Sequence, residues 1–263
     1  MRICVLSSGS KGNATYIEGD NTRILIDAGL SCAELEDRLM RIGVNPKDIN
    51  SILVTHEHSD HIKGLGTFAR KYSTNIYAHH NTWQVLDAKL PKIPTQQKIN
   101  IISKDFSLNE LDITAFDLDH DASHCLGYSV MCRTAKVSQA TDLGNITDTI
   151  IRQIMDSSLI VLESNHDVDT LLKCSYPLYL KNRILSNRGH LSNLTSSEAV
   201  SQMLGYGVRG VVLAHLSEES NSPRLAMNTF VNTLTQAGAD WIKEIHLDVA
   251  HQNKVGNIYK IKE

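Results

Sequence analysis

The segment His56-Glu57-His58-Ser59-Asp60-His61 constrains this chain more than any other. Three imidazoles and two carboxylates crowded into six residues are costly to place in an apolar core. Yet Ser51-Ile52-Leu53-Val54-Thr55, directly before them, is apolar enough to be a buried strand. The chain must therefore leave the interior near Thr55 and open at once into a polar pocket, as strand ends do in α/β folds. His56 and His58 alternate and can face one pocket. Asp60 and His61 can reach a neighbouring position as the loop turns into a helix.

The rest of the pattern supplies a frame for that pocket. Runs rich in β-branched residues, Ile3 to Leu6, Ala14 to Ile17 and Arg23 to Asp27, are separated by Gly/Ser/Asn clusters and predict a β-meander. Ser31 can cap a helix over Ala33 to Ile42, which Gly43 ends. After strand Ser51 to Thr55 the spacing predicts a helix over Ile62 to Tyr72, strand Asn75 to Ala78 and helix Asn81 to Ala88. A second β-rich stretch covers Ile99 to Ser103, Leu111 to Phe116, Gly127 to Cys132 and Lys136 to Ala140. Helices Ile146 to Ser157, Ser196 to Tyr206 and Arg224 to Ala237 then alternate with strands Leu159 to Leu162 and Gly210 to Ala214. A meander leading into β/α units, repeated once, predicts an α/β protein with two mixed sheets packed face to face and helices outside, a four-layer αββα sandwich. With no low-complexity linker, residues 1–263 are expected to form one domain.

Imidazole and carboxylate together suit zinc, manganese or iron, and two such ions about 3.5 to 4 Å apart can activate a shared water for hydrolysis. One loop holds too few ligands for two ions, so others are needed at further strand ends. Asp119-His120-Asp121, Asp142 and His215 stand where strands meet loops. Composition agrees with a soluble metalloprotein. Of 263 residues, 41% are hydrophobic and 21% charged, and twelve are histidine. No apolar run approaches the roughly 18 residues of a membrane span, and the N-terminus lacks a signal-peptide core, so a cytoplasmic location is expected. Five scattered cysteines without C-x-x-C spacing form neither a disulfide framework nor a zinc ribbon. A net charge of −3 offers no general attraction to nucleic acid, so a polyanion would have to be gripped locally.

These residues resemble the metallo-β-lactamase superfamily, and within it the YycJ/WalJ-type branch of bacterial exonucleases. The resemblance implies that Asp27, in Leu25-Ile26-Asp27-Ala28-Gly29, orients ligands from behind. By the same resemblance His56, His58 and His120 hold one metal, Asp60, His61 and His215 hold the other, and Asp142 bridges both. His124 competes with His120 for its place. The stretch between Asp142 and His215 has no room for a β-CASP domain.

A second constellation, Leu162-Glu163-Ser164-Asn165-His166 followed by Gly189-His190-Leu191-Ser192, resembles ribonuclease Z and related phosphodiesterases. Glu163 holding His190 in one tautomer would suit protonation of a leaving oxygen, while Asp60 orients the attacking water. His166 is expected either in that network or as a solvated loop residue. Ser10, Lys11 and Asn13 lie in Ser8-Gly9-Ser10-Lys11-Gly12-Asn13, whose small residues can form an anion-binding nest. They are expected to touch substrate, with Asn221 and with Arg188 from the basic set Lys181, Arg183 and Arg188. The implied activity is cleavage of phosphodiester bonds with two divalent ions, zinc or manganese. The branch implies a 5′-to-3′ DNA exonuclease of DNA repair, with single- or double-stranded DNA as substrate. A small-molecule hydrolase of glyoxalase II, lactonase or cyclic-phosphate phosphodiesterase type is the alternative.

Overall fold

Short apolar strands separated by turns of small polar residues leave few ways to bury both faces, and the chain solves this with two stacked sheets. The computed structural model describes residues 1–90, 92–101, 104–238 and 245–261. Strands β1 (Arg2–Ser7), β2 (Ala14–Glu18), β3 (Arg23–Ile26), β4 (Ser51–Leu53), β5 (Asn75–His79) and β6 (Lys98–Ile101) belong to the first sheet. Strands β7 (Asp105–Leu108), β8 (Leu111–Leu118), β9 (Cys125–Cys132), β10 (Ala135–Ala140), β11 (Leu159–Glu163), β12 (Gly210–Ala214) and β13 (His246–Val249) build the second, and β14 (Tyr259–Lys260) returns to the first. The strand orders are β14-β1-β2-β3-β4-β5-β6 and β13-β12-β11-β10-β9-β8-β7. Each sheet starts antiparallel and ends parallel, the change falling at the β3/β4 pair in one and the β10/β11 pair in the other. The repeated meander-then-β/α pattern is thus two copies of one sheet design.

Ile3, Val5, Ile17, Ile24 and Leu53 of the first sheet meet Ile113, Tyr128, Val137, Val161 and Val212 of the second in a shared core. The outer face of the first sheet is covered by α1 (Cys32–Arg41), α3 (Leu65–Tyr72) and α4 (His80–Lys89), which contribute Leu35, Leu39, Phe68 and Leu86. The outer face of the second is covered by α5 (Asp148–Ile154), α8 (Asn193–Gln202) and α9 (Pro223–Ala237), through Ile154, Val200 and Phe230. This is the expected αββα sandwich. Ser31 caps α1 in a capping box: Glu34 N donates to its Oγ, and Ser31 N donates to Glu34 Oε2.

Several boundaries differ from the sequence reading. The single helix expected over Ile62 to Tyr72 is two, α2 (Ser59–Ile62) and α3, because the chain turns at Gly64, whose N–H donates to Ala28 O at 2.9 Å. The helix expected from Ser196 begins at Asn193, since Ser192 Oγ caps it. That expected from Ile146 begins after the Thr147 cap. Strand β6 ends at Ile101, and the expected positions Ile102 and Ser103 lie outside the described residues. Strands β7, β13 and β14 and the short helices α6 (Val168–Lys173) and α7 (Leu178–Ile184) carry weak periodicity and were not expected.

Candidate metal centre

The strands bearing polar residues at their C-terminal ends all end along one edge of the sandwich. β3 delivers Asp27, β4 delivers His56 to His61, β8 delivers His120, β10 delivers Asp142, β11 ends on Glu163, and β12 delivers His215. Asp27, Asp142 and His215 have φ of 63°, 63° and 56°. Left-handed backbone at a non-glycine residue costs of order 1–3 kcal/mol and survives where surrounding contacts over-determine it. Here it turns each side chain back from the strand axis into the cleft. Gly29 is required for a related reason: a Cβ there would sit 1.6 Å from Asp60 O. Only glycine lets the Asp27 loop lie against the Asp60 turn.

Four donor groups form a continuous cluster. The ligand atoms of His56, His58 and His120 lie within 4.8 Å of one another, as do those of Asp60, His61 and His215, of His56, His61 and Asp142, and of Asp142, Glu163, His190 and His215. His61 Nε2 is 3.2 Å from Asp142 Oδ2 and 3.5 Å from Asp60 Oδ2, and His215 Nε2 is 3.8 Å from Asp60 Oδ2. The sequence-expected ligands therefore come together in one place. His124 does not: its Nε2 lies 2.9 Å from Asp117 Oδ1 and its ring stacks on His79 at 3.6 Å, outside the cluster. Of the two candidates, His120 lies inside the cluster and His124 outside it.

Four imidazoles of the cluster, those of His56, His61, His120 and His215, are held through Nδ1. His61 Nδ1 donates to Asp27 Oδ2 at 2.7 Å, His215 Nδ1 to Glu163 Oε1 at 2.8 Å and His120 Nδ1 to Gly189 O at 3.2 Å. Thr55 Oγ1 donates to Asp27 Oδ2 and accepts from His56 Nδ1 at 3.0 Å, so one buried aspartate orients two histidines. That leaves each Nε2 lone pair facing inward, the arrangement of metal-binding histidines. His56 Nε2, His215 Nε2 and Asp142 Oδ2 are buried and make no hydrogen bond. Orphaned acceptors in a dry pocket are costly unless a cation meets them. The donor set, imidazole nitrogen and carboxylate oxygen without thiolate, fits a divalent ion such as zinc or manganese.

Charge in the cluster follows the same geometry. Burial opposes ionisation of Asp142, but the His215 and His61 imidazoles beside it hold its carboxyl well below the usual range. Burial likewise opposes charge on Glu163, and His190 and His215 outweigh it and bring its carboxyl down to about 2. His56 is pushed well below the ordinary imidazole value by burial and by its neighbour His61. Partial burial opposes charge on Asp121, but its Arg183 hydrogen bond and the neighbouring His120 and His58 together outweigh it and hold its carboxyl below the ordinary value.

Glu163 is buried behind the cluster. Its Oε1 accepts from His190 Nδ1 at 2.9 Å, from His215 Nδ1 and from Asp142 N, while Oε2 accepts from Leu143 N and Leu191 N. The expected Glu163–His190 pair is present, and the same carboxylate also steadies His215. His190 opens, with Ser10, Tyr176, Leu180, Arg183 and His215, on a cavity of about 170 Å³.

The expected substrate contacts divide. Ser10 is exposed and lines that cavity. Lys11 is exposed but paired with Glu218 at 2.6 Å. Asn13 faces inward, with Nδ2 3.1 Å from Asp60 Oδ2 and 3.0 Å from His61 Nε2, so it supports ligands instead of substrate. Asn221 is also corrected: it is buried, and its Nδ2 donates to Ser164 O, Asn165 O and Asn193 Oδ1. Arg188 donates twice to His120 O, and Lys181 donates to Leu172 O. His166 is 1% exposed, not a solvated loop residue. The sequence reading passed over the supporting roles of Thr55 and Glu57. Glu57 accepts from Ser123 N and Ser123 Oγ and so anchors the loop that carries His120. Its position inside the histidine segment was the available signal.

Residues 22–216 match the family model described as a β-lactamase superfamily domain. The chain belongs to that superfamily. It is 40% identical to "Exodeoxyribonuclease WalJ" of Streptococcus pneumoniae over 239 residues, 90% of this chain and 89% of that one. It is 36% identical to "Exodeoxyribonuclease YycJ" of Bacillus anthracis over 90% of each chain. The metallo-β-lactamase-fold protein YhfI of Bacillus subtilis superposes with a TM-score of 0.74 at 16% identity over 98% of each chain. Human tRNase Z, short form, does so at 0.66 and 16% over 100% of each. At such identities these two structures speak to fold alone. The family and its donor cluster make this chain a metal-dependent hydrolase.

Proposed function

We propose that this protein is an exodeoxyribonuclease that cuts phosphodiester bonds in the 5′-to-3′ direction, with two divalent ions, zinc or manganese, in the cluster. The observation that carries the reading is the 36–40% identity, across nine-tenths of the chain, to proteins named exodeoxyribonucleases. His56, His58 and His120 would hold one ion, Asp60, His61 and His215 the other, and Asp142 both. Ions so held lower the pKa of water and neutralise charge on a phosphate.

The chain's own residues account for orientation and proton transfer. Water oxygen bonds to phosphorus as the bond to the departing sugar oxygen breaks, and that oxygen needs a proton. His190 would give it: Glu163 ties down Nδ1 and leaves the other ring nitrogen clear of that carboxylate, and the residue lines the cavity. Asp60, braced by Asn13, would orient the attacking water. The described chain acts as one unit in this reading, with the two sheets sharing one core and the site along their common edge. Among the described residues no helix is long and apolar enough to cross a membrane. A cytoplasmic role in DNA repair belongs to the same proposal.

The test is digestion of end-labelled single- and double-stranded DNA with zinc or manganese, beside an Asp60→Ala/His61→Ala variant. Stepwise release from the 5′ end by the parent alone is expected. Equal cleavage by the variant, or no binding to DNA even at low salt where phosphate contacts are strongest, would overturn the reading.

A further inference from the structure

The His56–His58–His120 group offers three nitrogens and no carboxylate of its own, apart from the shared Asp142. Beside it stands an oxygen with no assigned task. Asp121 Oδ1 is buried, makes no hydrogen bond and lies 3.2 Å from His120 Nε2. Its other oxygen, Oδ2, accepts from Arg183 Nε at 2.5 Å. In its neutral form His120 commits its Nδ1–H to Gly189 O, and its Nε2 then presents a lone pair. Two buried acceptors therefore face each other at hydrogen-bond distance with no proton between them. Such a contact is repulsive by itself and becomes favourable when a cation lies between the two atoms. Two atoms 3.2 Å apart, each about 2.1 Å from a shared ion, subtend an angle of about 100° there, between octahedral and tetrahedral values.

We propose that Asp121 is a further metal ligand, an oxygen donor that joins His56, His58 and His120 at their ion, and that Arg183 aims it by holding the second carboxylate oxygen. The neighbouring acid Asp117 does not share this role. It pairs with Lys104 and His124 away from the cluster. The inference rests on the metal-centre reading above and adds a ligand to it. An added carboxylate raises the charge and coordination number available at that ion, and favours an ion that accepts oxygen and higher coordination, such as manganese, over one content with three nitrogens.

The experiment reads metal directly, without DNA. Apo protein is titrated with manganese and with zinc by calorimetry, and the ions retained after dialysis are counted, for the parent and for Asp121→Asn, Asp121→Ala, Arg183→Ala and Asp117→Asn. Melting of the metal-free forms establishes that each variant is folded. Both Asp121 variants should lose about tenfold or more in affinity for one ion, with manganese suffering more than zinc, while the other ion stays bound. Asp117→Asn should match the parent, and Arg183→Ala should keep most of the affinity. Unchanged binding in folded Asp121→Asn overturns the proposal. So does an Asp117→Asn loss as large as that of Asp121→Asn, since removal of any nearby negative charge would then account for the effect. A parent that takes up neither ion would instead defeat the metal-centre reading itself.

Discussion

Glu163→Gln changes one oxygen for an amide nitrogen, yet it should be among the most damaging conservative substitutions in this chain. The carboxylate accepts from five N–H groups: His190 Nδ1, His215 Nδ1 and Asp142 N on one oxygen, Leu143 N and Leu191 N on the other. A glutamine has one acceptor oxygen. With that oxygen toward the imidazoles, its amide group meets two backbone donors. Turned the other way, it meets both histidines and can be satisfied only if they move their protons to the nitrogens that face the cluster. Either way at least two buried donors lose their acceptor, at about 1–3 kcal/mol each, or about 2–6 kcal/mol in all. The carboxyl's displacement from 4.5 to about 2 gives a similar figure, about 3 kcal/mol in favour of the charged form. The folded-state value is depressed, so this stabilisation is complete above about pH 4.5 and is lost as the pH falls through about 2. At neutral pH it is fully present. Against a typical total of about 5–15 kcal/mol this is a large loss, and melting of the metal-free variant should fall by roughly 5–20 °C. Metal retention, measured by elemental analysis after dialysis, should fall as well because His215 loses its brace. A variant that melts within a degree or two of the parent and retains the same metal would refute the assignment of Glu163 as the common acceptor.

Other substitutions separate the roles around it. His190→Ala should keep the parent's metal content while turnover falls by about 10²- to 10⁴-fold, the usual worth of a proton donor; loss of metal would make His190 a ligand. Asp27→Asn leaves His61 and Thr55 competing for a weaker acceptor, and should lower metal affinity about 10- to 100-fold by calorimetry without reaching the cluster directly. Parent affinity in that variant would remove Asp27 from the orienting role. Buried His166 is pushed down to about 4 by burial, so the unfolded chain binds a proton that the folded one refuses. Its contribution is complete above about pH 6.5 and drains away towards pH 4, about 2–3 kcal/mol in denaturant titrations. His166→Asn should flatten that slope, and an unaltered slope would show that other groups set it. Gly29→Ala has no room for its Cβ beside Asp60 O and should lose both stability and metal; a well-folded, metal-replete variant would contradict the close approach.

Much of this protein was written in local pattern. The apolar strand before His56, the acids and histidines at later strand ends and the repeated meander-then-β/α order predicted the sandwich and put candidate donors at strand ends, because side-chain periodicity and turn chemistry act over a few residues. What the sequence left open were matters of direction. Asn13 and Asn221 read as substrate contacts, and only the folded chain shows them turned inward, one onto Asp60 and His61 and the other onto the backbone at Ser164 and Asn165. The choice between His120 and His124 likewise depended on the loop that Glu57 and Arg188 anchor from distant parts of the chain. Glu163 was legible as a partner of His190, but its grip on His215 arises between residues brought together from remote elements, and the Asp121 carboxylate beside its neighbour His120 is held by the distant Arg183. A hydrogen bond is a matter of tenths of an ångström and tens of degrees. Local sequence determines which atoms a strand end carries, and tertiary packing decides where their lone pairs point.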